Sequence, residues 1–347
     1  MRIAIIGGGL SGSLLAWRLA REPHRRPVEL FTGAAGAGPD GTALSGGLVR
    51  GFEEDPGAAG LAAESLAELR GDPVLRGWAD YREVGCLYVL PAGEPPAAAL
   101  EAVRRYLPGS LELLEGAELA RRFPLRNLTA GSRAVVEREA GYLSPGRLRD
   151  RVVADLARTG AVLRTERILR VTDRPGVRLA DGTELGYDLV VLATGAWTPG
   201  LLAAAGLPVG GLRTKQIQYS VADLALPGLG TFYDAASGLY GRCTEDGRAL
   251  LGLTSQRWDI TPEQAEPEAE LTAEVARTAG AVLGLPDGLE HYRHTVAGFD
   301  CYHLVPGLRL RHVAPGVTTF TGGSGGAAKT ALAASRAAAA VLAALGR

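Results

Sequence analysis

The sequence has little lysine and few aromatic residues, and it carries no excess of either charge. Its 347 residues include 37 basic and 38 acidic side chains, which gives a formal net charge of −1 at pH 7. This balance gives no electrostatic support for binding nucleic acid or an anionic membrane, so we expect a small-molecule partner. Only two of the basic residues are lysines, Lys215 and Lys329, and both positions therefore attract notice.

Cysteine is scarce as well. Cys86, Cys243 and Cys301 are odd in number and widely spaced, which argues against a disulfide framework and against a cysteine-based zinc site. His291 and His294 lack a third convergent ligand, so no metal site is expected. There is no run of about 18 apolar residues and no signal-like segment, so we expect a cytoplasmic protein without a spanning helix. The oligomeric state does not follow from the sequence.

The chain opens with a glycine-rich turn between an apolar strand and an amphipathic helix. The pattern predicts a strand over 2–6, a helix over 11–21 and a second strand over 27–31. The turn reads G-x-G-x-x-G in this βαβ context, which is typical of a dinucleotide site because bare backbone and a helix N-terminus together bind a pyrophosphate. The residues predicted to contact the phosphates are Gly7, Gly9, Leu10, Ser11 and Gly12.

One position departs from the usual dinucleotide pattern. An acidic residue normally ends the second strand and binds the ribose hydroxyls, but this sequence has Thr32 there. Glu29 is a poor substitute, because the alternation of side chains along a strand points it elsewhere. The sequence therefore predicts Thr32 near the cofactor and leaves the ribose contact open.

Two further strands run into glycine loops, at "YDLVVLATG" and "VTTFTGGSGG". Such junctions commonly meet at the carboxyl edge of one parallel sheet, where they would surround one ligand. The intervening segments show a different pattern: they combine short strand-like stretches with helices predicted over 95–107 and 262–283. The sequence thus predicts a second, mainly antiparallel domain inserted twice into the first. The nucleotide-type domain comprises 1–76, 140–212 and 303–347, and the second domain comprises 77–139 and 213–302.

Three motifs together resemble one family of flavoproteins. The stretches "YDLVVLATGAWTPGLL", "TFTGGSGGAAKTALAAS" and "REAGYLSPGRL", added to the opening turn, resemble the D-amino-acid oxidase superfamily, which includes glycine oxidase and sarcosine oxidase. The resemblance implies an α/β fold, with an FAD-binding Rossmann-like domain of the glutathione-reductase type interleaved with an antiparallel-sheet α+β substrate domain. The residues that the resemblance places at FAD are Ser45, Gly46, Thr194, Gly195, Trp197, Gly323, Gly325, Gly326, Ala327 and Lys329.

The resemblance also implies a reaction. Such enzymes transfer a hydride from the carbon beside an amine to flavin N5 and leave an imine, which water hydrolyses. We expect an amino acid or an N-substituted amino acid as substrate and reoxidation by O2. A flavin dehydrogenase with another electron acceptor would share these motifs. A flavin monooxygenase is the other alternative, although hydroxylase-type flavoproteins usually carry a Gly-Asp pair that the last loop lacks.

Residues for the chemistry follow from the same resemblance. Lys329 matches a lysine that binds the substrate carboxylate in sarcosine oxidase, and a compact ammonium stands out in a chain that otherwise uses arginine. Arg50 matches an arginine near the flavin, and Tyr240 matches an aromatic residue over the substrate cavity. The alternatives are an exposed lysine, a loop arginine and a half-buried strand tyrosine. Leu250 stands near the position where sarcosine oxidase has a lysine that activates oxygen.

The stretch "VAGFDCYHLVP" departs from the family. Asp300 takes the place of the arginine that clamps the substrate carboxylate in glycine oxidase, and an acid cannot do this. Asp300 would instead hold the substrate ammonium, and His303 would face the pocket, unless both are structural. A shifted alignment matches Cys301 to a cysteine that bonds covalently to the flavin. The flanking residues favour noncovalent FAD and leave a link at Cys301 open.

Overall fold

The computed structural model describes residues 1–22, 27–33, 40–91, 93, 96–128, 131–172 and 174–345. Its strands are β1 (Ile3–Ile6), β2 (Val28–Phe31), β3 (Leu48–Val49), β4 (Arg82–Glu83), β5 (Cys86–Leu90), β6 (Leu111–Glu115), β7 (Arg133–Glu137), β8 (Gly141–Tyr142), β9 (Val162–Arg164), β10 (Ile168–Val171), β11 (Gly176–Leu179), β12 (Glu184–Gly186), β13 (Leu189–Leu192), β14 (Leu212–Ala222), β15 (Thr231–Asp234), β16 (Tyr240–Cys243), β17 (Ala249–Gly252), β18 (Tyr292–His303), β19 (Arg309–Ala314) and β20 (Val317–Thr321). Its helices are α1 (Leu10–Leu19), α2 (Pro56–Gly71), α3 (Pro73–Ala79), α4 (Ala97–Tyr106), α5 (Gly116–Arg122), α6 (Pro145–Ala157), α7 (Thr198–Ala204), α8 (Ala269–Leu283) and α9 (Ala327–Ala344).

A six-stranded sheet forms the first half of the fold, in the order β19-β20-β13-β1-β2-β9. All neighbouring pairs are parallel except β19 with β20. The register sets Ile6 beside Leu192, and Leu192 beside Thr319, so β1, β13 and β20 end at the same edge. The prediction that the three glycine turns converge at the carboxyl edge of one parallel sheet is confirmed.

Helices α1, α2, α6 and α9 pack together on one face of this sheet, and a small antiparallel sheet of β10, β11 and β12 belongs to the apolar cluster on the other. Among the described residues, α9 is the one helix long and apolar enough to cross a membrane. Half of it is buried inside the protein, where it contacts α1 and α2, so its apolar composition is that of a core helix.

An eight-stranded sheet forms the second half, in the order β18-β14-β17-β16-β15-β5-β7-β6. Its strands come from 86–137 and 212–303, the two stretches between the segments of the parallel sheet. Most neighbouring pairs are antiparallel, whereas β5 runs parallel to β15. The finer domain boundaries stay a prediction.

The helix predicted over 262–283 is wrong at its start. The structure has a short 3-10 turn at Pro262–Gln264, and α8 begins only at Ala269. Pro267 disfavours a helical conformation of the residue before it and has no backbone N–H, so a continuous helix cannot pass through this point.

Candidate active site

The strand register gives the eight-stranded sheet two different faces. Residues directly opposite each other in paired strands share a face, and successive residues of one strand alternate. One face carries Phe232 and Leu251, which belong to an apolar cluster with α8. The other face, here called the aromatic face, includes the side chains of Tyr88, Tyr233, Tyr240, Tyr302, Lys215 and Asp300.

The aromatic face lies against the glycine loop between β20 and α9. The carboxylate of Asp300 accepts hydrogen bonds from the backbone N–H groups of Gly325 and Cys301, both at 2.7 Å. Burial raises the pKa of Asp300 to about 6, although these two amides favour its ionised form. A Cβ placed on Gly325 would lie 3.0 Å from the Tyr302 hydroxyl. The sheet and the last glycine turn therefore border one site, and the hydrogen bond from Gly325 to Asp300 joins them.

The first glycine turn has the geometry of a phosphate cradle. Gly7 has a φ of +119°, and a Cβ there would lie 2.5 Å from the carbonyl oxygen of Ala193. A Cβ on Gly12 would lie 2.1 Å from the Gly7 carbonyl oxygen, so α1 packs on β1 only because the side chain is missing. A Cβ on Gly9 would meet nothing closer than the Thr42 hydroxyl, at 3.2 Å, which leaves the backbone open to a ligand.

The N-terminus of α1 points into this cradle. Leu10 donates its backbone N–H to the Thr42 hydroxyl at 2.9 Å, and Ser11 is the next helical residue. Free N–H groups and the positive end of the helix dipole at this point suit a diphosphate. The residues present therefore fit the pyrophosphate of FAD.

The end of β2 carries no acidic group for a ribose. Thr32 donates both its backbone N–H and its hydroxyl to the Arg164 carbonyl oxygen. Glu29 is buried and accepts hydrogen bonds from Arg2, Arg164 and Tyr187 at 2.6–2.8 Å. Burial opposes ionisation of Glu29, but these partners hold its pKa below the usual value. Its carboxylate is therefore committed to the fold.

The second glycine turn, which follows β13, forms another part of the proposed cofactor surface. Gly195 has a φ of +53°, which favours glycine, and follows Thr194 at the end of β13. The Trp197 ring packs edge-on against Phe299 with centroids 4.9 Å apart. These residues therefore link the turn after β13 to β18.

Arg242 is a site residue that the sequence did not reveal. Its Nε donates to the Gly46 carbonyl oxygen at 2.8 Å, and its guanidinium lies 4.2 Å from the centroid of the Tyr142 ring. Ser45 accepts the backbone N–H of Gly47. Arg242 thus fixes the predicted FAD-contacting segment from the sheet side.

The third glycine turn leads directly into α9. Gly326 precedes the helix and donates its N–H to the Gly323 carbonyl oxygen at 2.9 Å, so the turn closes tightly before Ala327. A Cβ on Gly323 would lie 2.7 Å from the Ala327 side chain. The helix N-terminus therefore faces the edge where the other two turns end, and its dipole favours negative charge there.

Lys329 and Arg50 share one carboxylate, that of Glu53. Lys329 pairs with Glu53 Oε1, and Arg50 Nη2 lies 2.9 Å from the same oxygen. Burial and Arg50 lower the pKa of Lys329. Burial would also lower the pKa of Arg50, but Glu53 and other nearby groups together raise it. Burial would raise the pKa of Glu53, but the two cations lower it. The lysine that the resemblance assigns to the substrate carboxylate is therefore already paired with an internal acid, Glu53, that the sequence did not reveal.

Tyrosine rings surround the Arg50 guanidinium. Its central carbon lies 5.1 Å from the centroid of Tyr88 and 5.3 Å from that of Tyr233, distances suited to cation–π attraction. Tyr240 lies on the same face of the sheet and donates its hydroxyl to the Gln218 carbonyl oxygen at 2.8 Å. Burial raises the pKa of Tyr240. Tyr240 thus presents its ring to the site, while its hydroxyl is held by the backbone.

The structure does not bring His303 together with these groups. His303 lies on the opposite side of β18 from Asp300 and Tyr302, and its Nδ1 pairs with the backbone of Val305 at 2.9–3.0 Å. Cys301 is also on that side, fully buried in the apolar cluster of the parallel sheet. Burial raises the pKa of its thiol to about 11. Within the described residues, no group of three potential ligands could hold a metal ion.

The glycine cradle, the parallel sheet and the aromatic face define a two-domain dinucleotide-binding protein. The chain belongs to the DAO family of FAD dependent oxidoreductases, whose family model matches residues 2–341. The family and the α/β fold expected from the motifs are thereby confirmed. No curated protein sequence gave a significant match.

Solved structures show the same fold. L-proline dehydrogenase from P. horikoshii has a TM-score of 0.81 at 18% identity, with 98% of this chain and 92% of that chain covered. Iminodiacetate oxidase from Chelativorans sp. BNC1 has a TM-score of 0.72 at 22% identity, with 99% and 95% covered. Glycine oxidase from Bacillus cereus has a TM-score of 0.73 at 18% identity, with 99% and 95% covered.

Proposed function

We propose that this protein uses FAD to oxidise an amino acid or an N-substituted amino acid to an imine, which water then hydrolyses. The observation that carries the proposal is the aromatic face, which sets tyrosine rings and a buried lysine opposite the last glycine turn. The fold neighbours described as glycine oxidase, iminodiacetate oxidase and L-proline dehydrogenase support a small amino-acid substrate.

The residues of the chain would orient the reaction, and FAD, when bound, supplies the hydride acceptor. The helix dipole and N-terminal amides of α9 favour negative charge at the edge of the site. The rings of Tyr233, Tyr240 and Tyr302 exclude water and confine the substrate between the sheet and the glycine turn. Asp300 holds that turn through the Gly325 amide, so it acts as a positioning residue.

We also propose that FAD is bound without a covalent link. The Cys301 thiol lies in the apolar core on the side of β18 away from Asp300 and Tyr302, and its raised pKa disfavours the reactive thiolate. After acid precipitation, the yellow colour should stay in the supernatant. Colour retained by the polypeptide in the wild type and lost in Cys301→Ser would contradict this proposal.

The test of the function is an anaerobic titration of the flavin absorbance with glycine, sarcosine, proline, D-amino acids and N-carboxymethyl amino acids. Bleaching by one of these classes identifies the substrate type. A flavin that stays oxidised with all of them but bleaches with NADPH alone would contradict amine oxidation and favour a monooxygenase.

A dehydrogenase is the second candidate, and Leu250 is the observation that favours it. This buried leucine stands near the position of the oxygen-activating lysine in sarcosine oxidase. Admitting air to the substrate-reduced protein separates the two. Rapid return of the yellow colour with stoichiometric peroxide indicates an oxidase, whereas slow return with rapid reduction of a quinone indicates a dehydrogenase.

A further inference from the structure

Lys215 is a buried cation with no acidic partner among the described residues. Its residue is 6% exposed, and in the part of the chain that the structure describes its ammonium makes no hydrogen bond or ion pair. The ammonium nitrogen instead lies 4.5 Å from the ring centroid of Trp258 and 5.6 Å from that of Tyr302. Burial lowers its pKa. A charge removed from water is costly unless it is paired, and two ring faces offset only part of that cost.

The local backbone holds this arrangement in place. Lys215 and Trp258 form an isolated antiparallel bridge, and Asp259 donates its backbone N–H to the Thr214 carbonyl oxygen at 2.8 Å. The Arg213 guanidinium lies 4.7 Å from the Trp258 centroid and pairs with the Asp259 carboxylate. Trp258 is thus fixed beside Lys215, and the rings occupy only part of the coordination sphere of an ammonium with three donors.

Lys215 faces the proposed active site. It stands directly opposite Asp300 in the β14–β18 register and shares the aromatic face with Tyr302, whose hydroxyl borders Gly325. Among the described residues no ion pair joins Lys215 to Asp300, whose two carboxylate oxygens instead accept backbone N–H groups. In the described part of the chain, a cation without a counter-ion therefore lies on the sheet face that borders the last glycine turn.

Lys329, the other lysine of the chain, has an acidic partner. Lys329 shares the Glu53 carboxylate with Arg50, whose guanidinium lies over the tyrosines of β15 and β5. These strands are three and four places from β14 in the sheet, which corresponds to roughly 14–19 Å. Lys329 thus has an acidic partner in Glu53, whereas Lys215 has aromatic rings beside it.

We propose that the carboxylate of the substrate binds to the Lys215 ammonium, between the rings of Trp258 and Tyr302, rather than to Lys329. The assignment rests on the proposed function, because it takes the substrate to be an amino acid. It adds an anion-binding residue on β14 that the sequence motifs did not indicate.

The test uses the FAD-loaded protein and benzoate, with benzamide as the uncharged control. Binding is followed by the change in flavin absorbance and by calorimetry, neither of which needs turnover. Lys215→Met should weaken benzoate binding at least tenfold and change benzamide binding less than twofold. Lys215→Arg should retain most of the affinity. Lys329→Met is the matched control and should change benzoate binding less than threefold.

The opposite pattern overturns the proposal. A tenfold loss in Lys329→Met with normal binding in Lys215→Met assigns the carboxylate to Lys329. If Lys215→Met binds benzoate normally but its reduced flavin regains colour only slowly in air, Lys215 acts in the reaction with oxygen instead. If no amine reduces the flavin while benzoate binding follows the expected pattern, the proposed function fails and the anion site stands.

A measurement on the wild type makes the decision independent of the folding of variants. The chain has two lysines, so acetylation by acetic anhydride is read from two peptides by mass spectrometry. Benzoate should slow acetylation of Lys215 severalfold and leave that of Lys329 unchanged. Protection of Lys329 alone, or of neither lysine at saturating benzoate, overturns the proposal.

Discussion

Replacing Glu53 with glutamine should open a second carboxylate site at Lys329 and Arg50. The side chains of the three residues are only 11–18% exposed, and the single Glu53 carboxylate serves both cations. Glutamine keeps the shape and a hydrogen-bonding oxygen but removes the negative charge. The two cations would then lack a counter-ion in a site with little solvent.

The size of the effect follows from the partial burial of the cluster. Removing one partner of a buried ion pair costs about 3–5 kcal/mol, and an exposed pair is worth less than about 1 kcal/mol. The exposure here lies between these limits, so Glu53→Gln should lower the free energy of unfolding by about 2 kcal/mol. A bound carboxylate can regain at most that amount, which corresponds to roughly a 30-fold gain in affinity.

The assay combines this change with Lys215→Met, which removes the first anion site. Benzoate should bind poorly to Lys215→Met alone and regain affinity in the Lys215→Met/Glu53→Gln double variant. Adding Lys329→Met should cancel the gain, because the second site then loses one of its cations. Urea unfolding of the FAD-loaded single variant measures the stability cost, and saturating benzoate should restore part of it.

Two results would refute this reasoning. Unchanged benzoate affinity when Glu53→Gln is added to Lys215→Met, with FAD still bound, would mean that Glu53 does not keep anions from the two cations. A gain in affinity that survives Lys329→Met would mean that Lys329 contributes nothing to the second site.

Three further outcomes follow from the structure. Gly12→Ala should lower stability by about 1–3 kcal/mol and weaken FAD binding in a fluorescence titration, because its Cβ meets the Gly7 carbonyl oxygen. Gly77→Ala is the control and should not lower stability, because this helical glycine has open space around it. Burial raises the pKa of Asp300, so the folded state keeps the proton of this carboxyl up to about pH 6, whereas the unfolded chain loses it at about pH 4. The free energy of unfolding, measured in urea, should therefore fall as pH rises from about 4 to 6, and Asp300→Asn should reduce this fall. Cys301→Ser should keep its full complement of FAD, and a protein purified without flavin would contradict the noncovalent assignment.

Much of the fold could be predicted from local pattern. A glycine-rich turn after a buried strand is visible in the sequence, and parallel strands bring such turns to one edge of a sheet. The antiparallel half was predicted only in outline, because a short strand reads alike in many pairings. The helical pattern over 262–283 does not show where α8 begins, because Pro267 interrupts the helix within it.

The candidate site was harder to predict, because its decisive contacts join distant residues. Glu53 is 276 positions from Lys329, and no motif marks it as the partner of a lysine. Matching motifs identified the cation and could not show whether the fold had already paired it. The sequence around His303 favours a position facing the pocket, whereas strand alternation separates His303 from Asp300 and Tyr302.

Lys215 shows which sequence signal would have helped. A lysine in a chain with 35 arginines is conspicuous, and the odd-numbered positions of β14 are those that share a face with Asp300 and Tyr302 once the register is known. The amino-acid composition therefore draws attention to Lys215, and the strand register shows which face of the sheet its side chain occupies. Only the tertiary structure shows that one lysine has an acid and the other has aromatic rings, and this difference decides which of them has a charge left for a substrate.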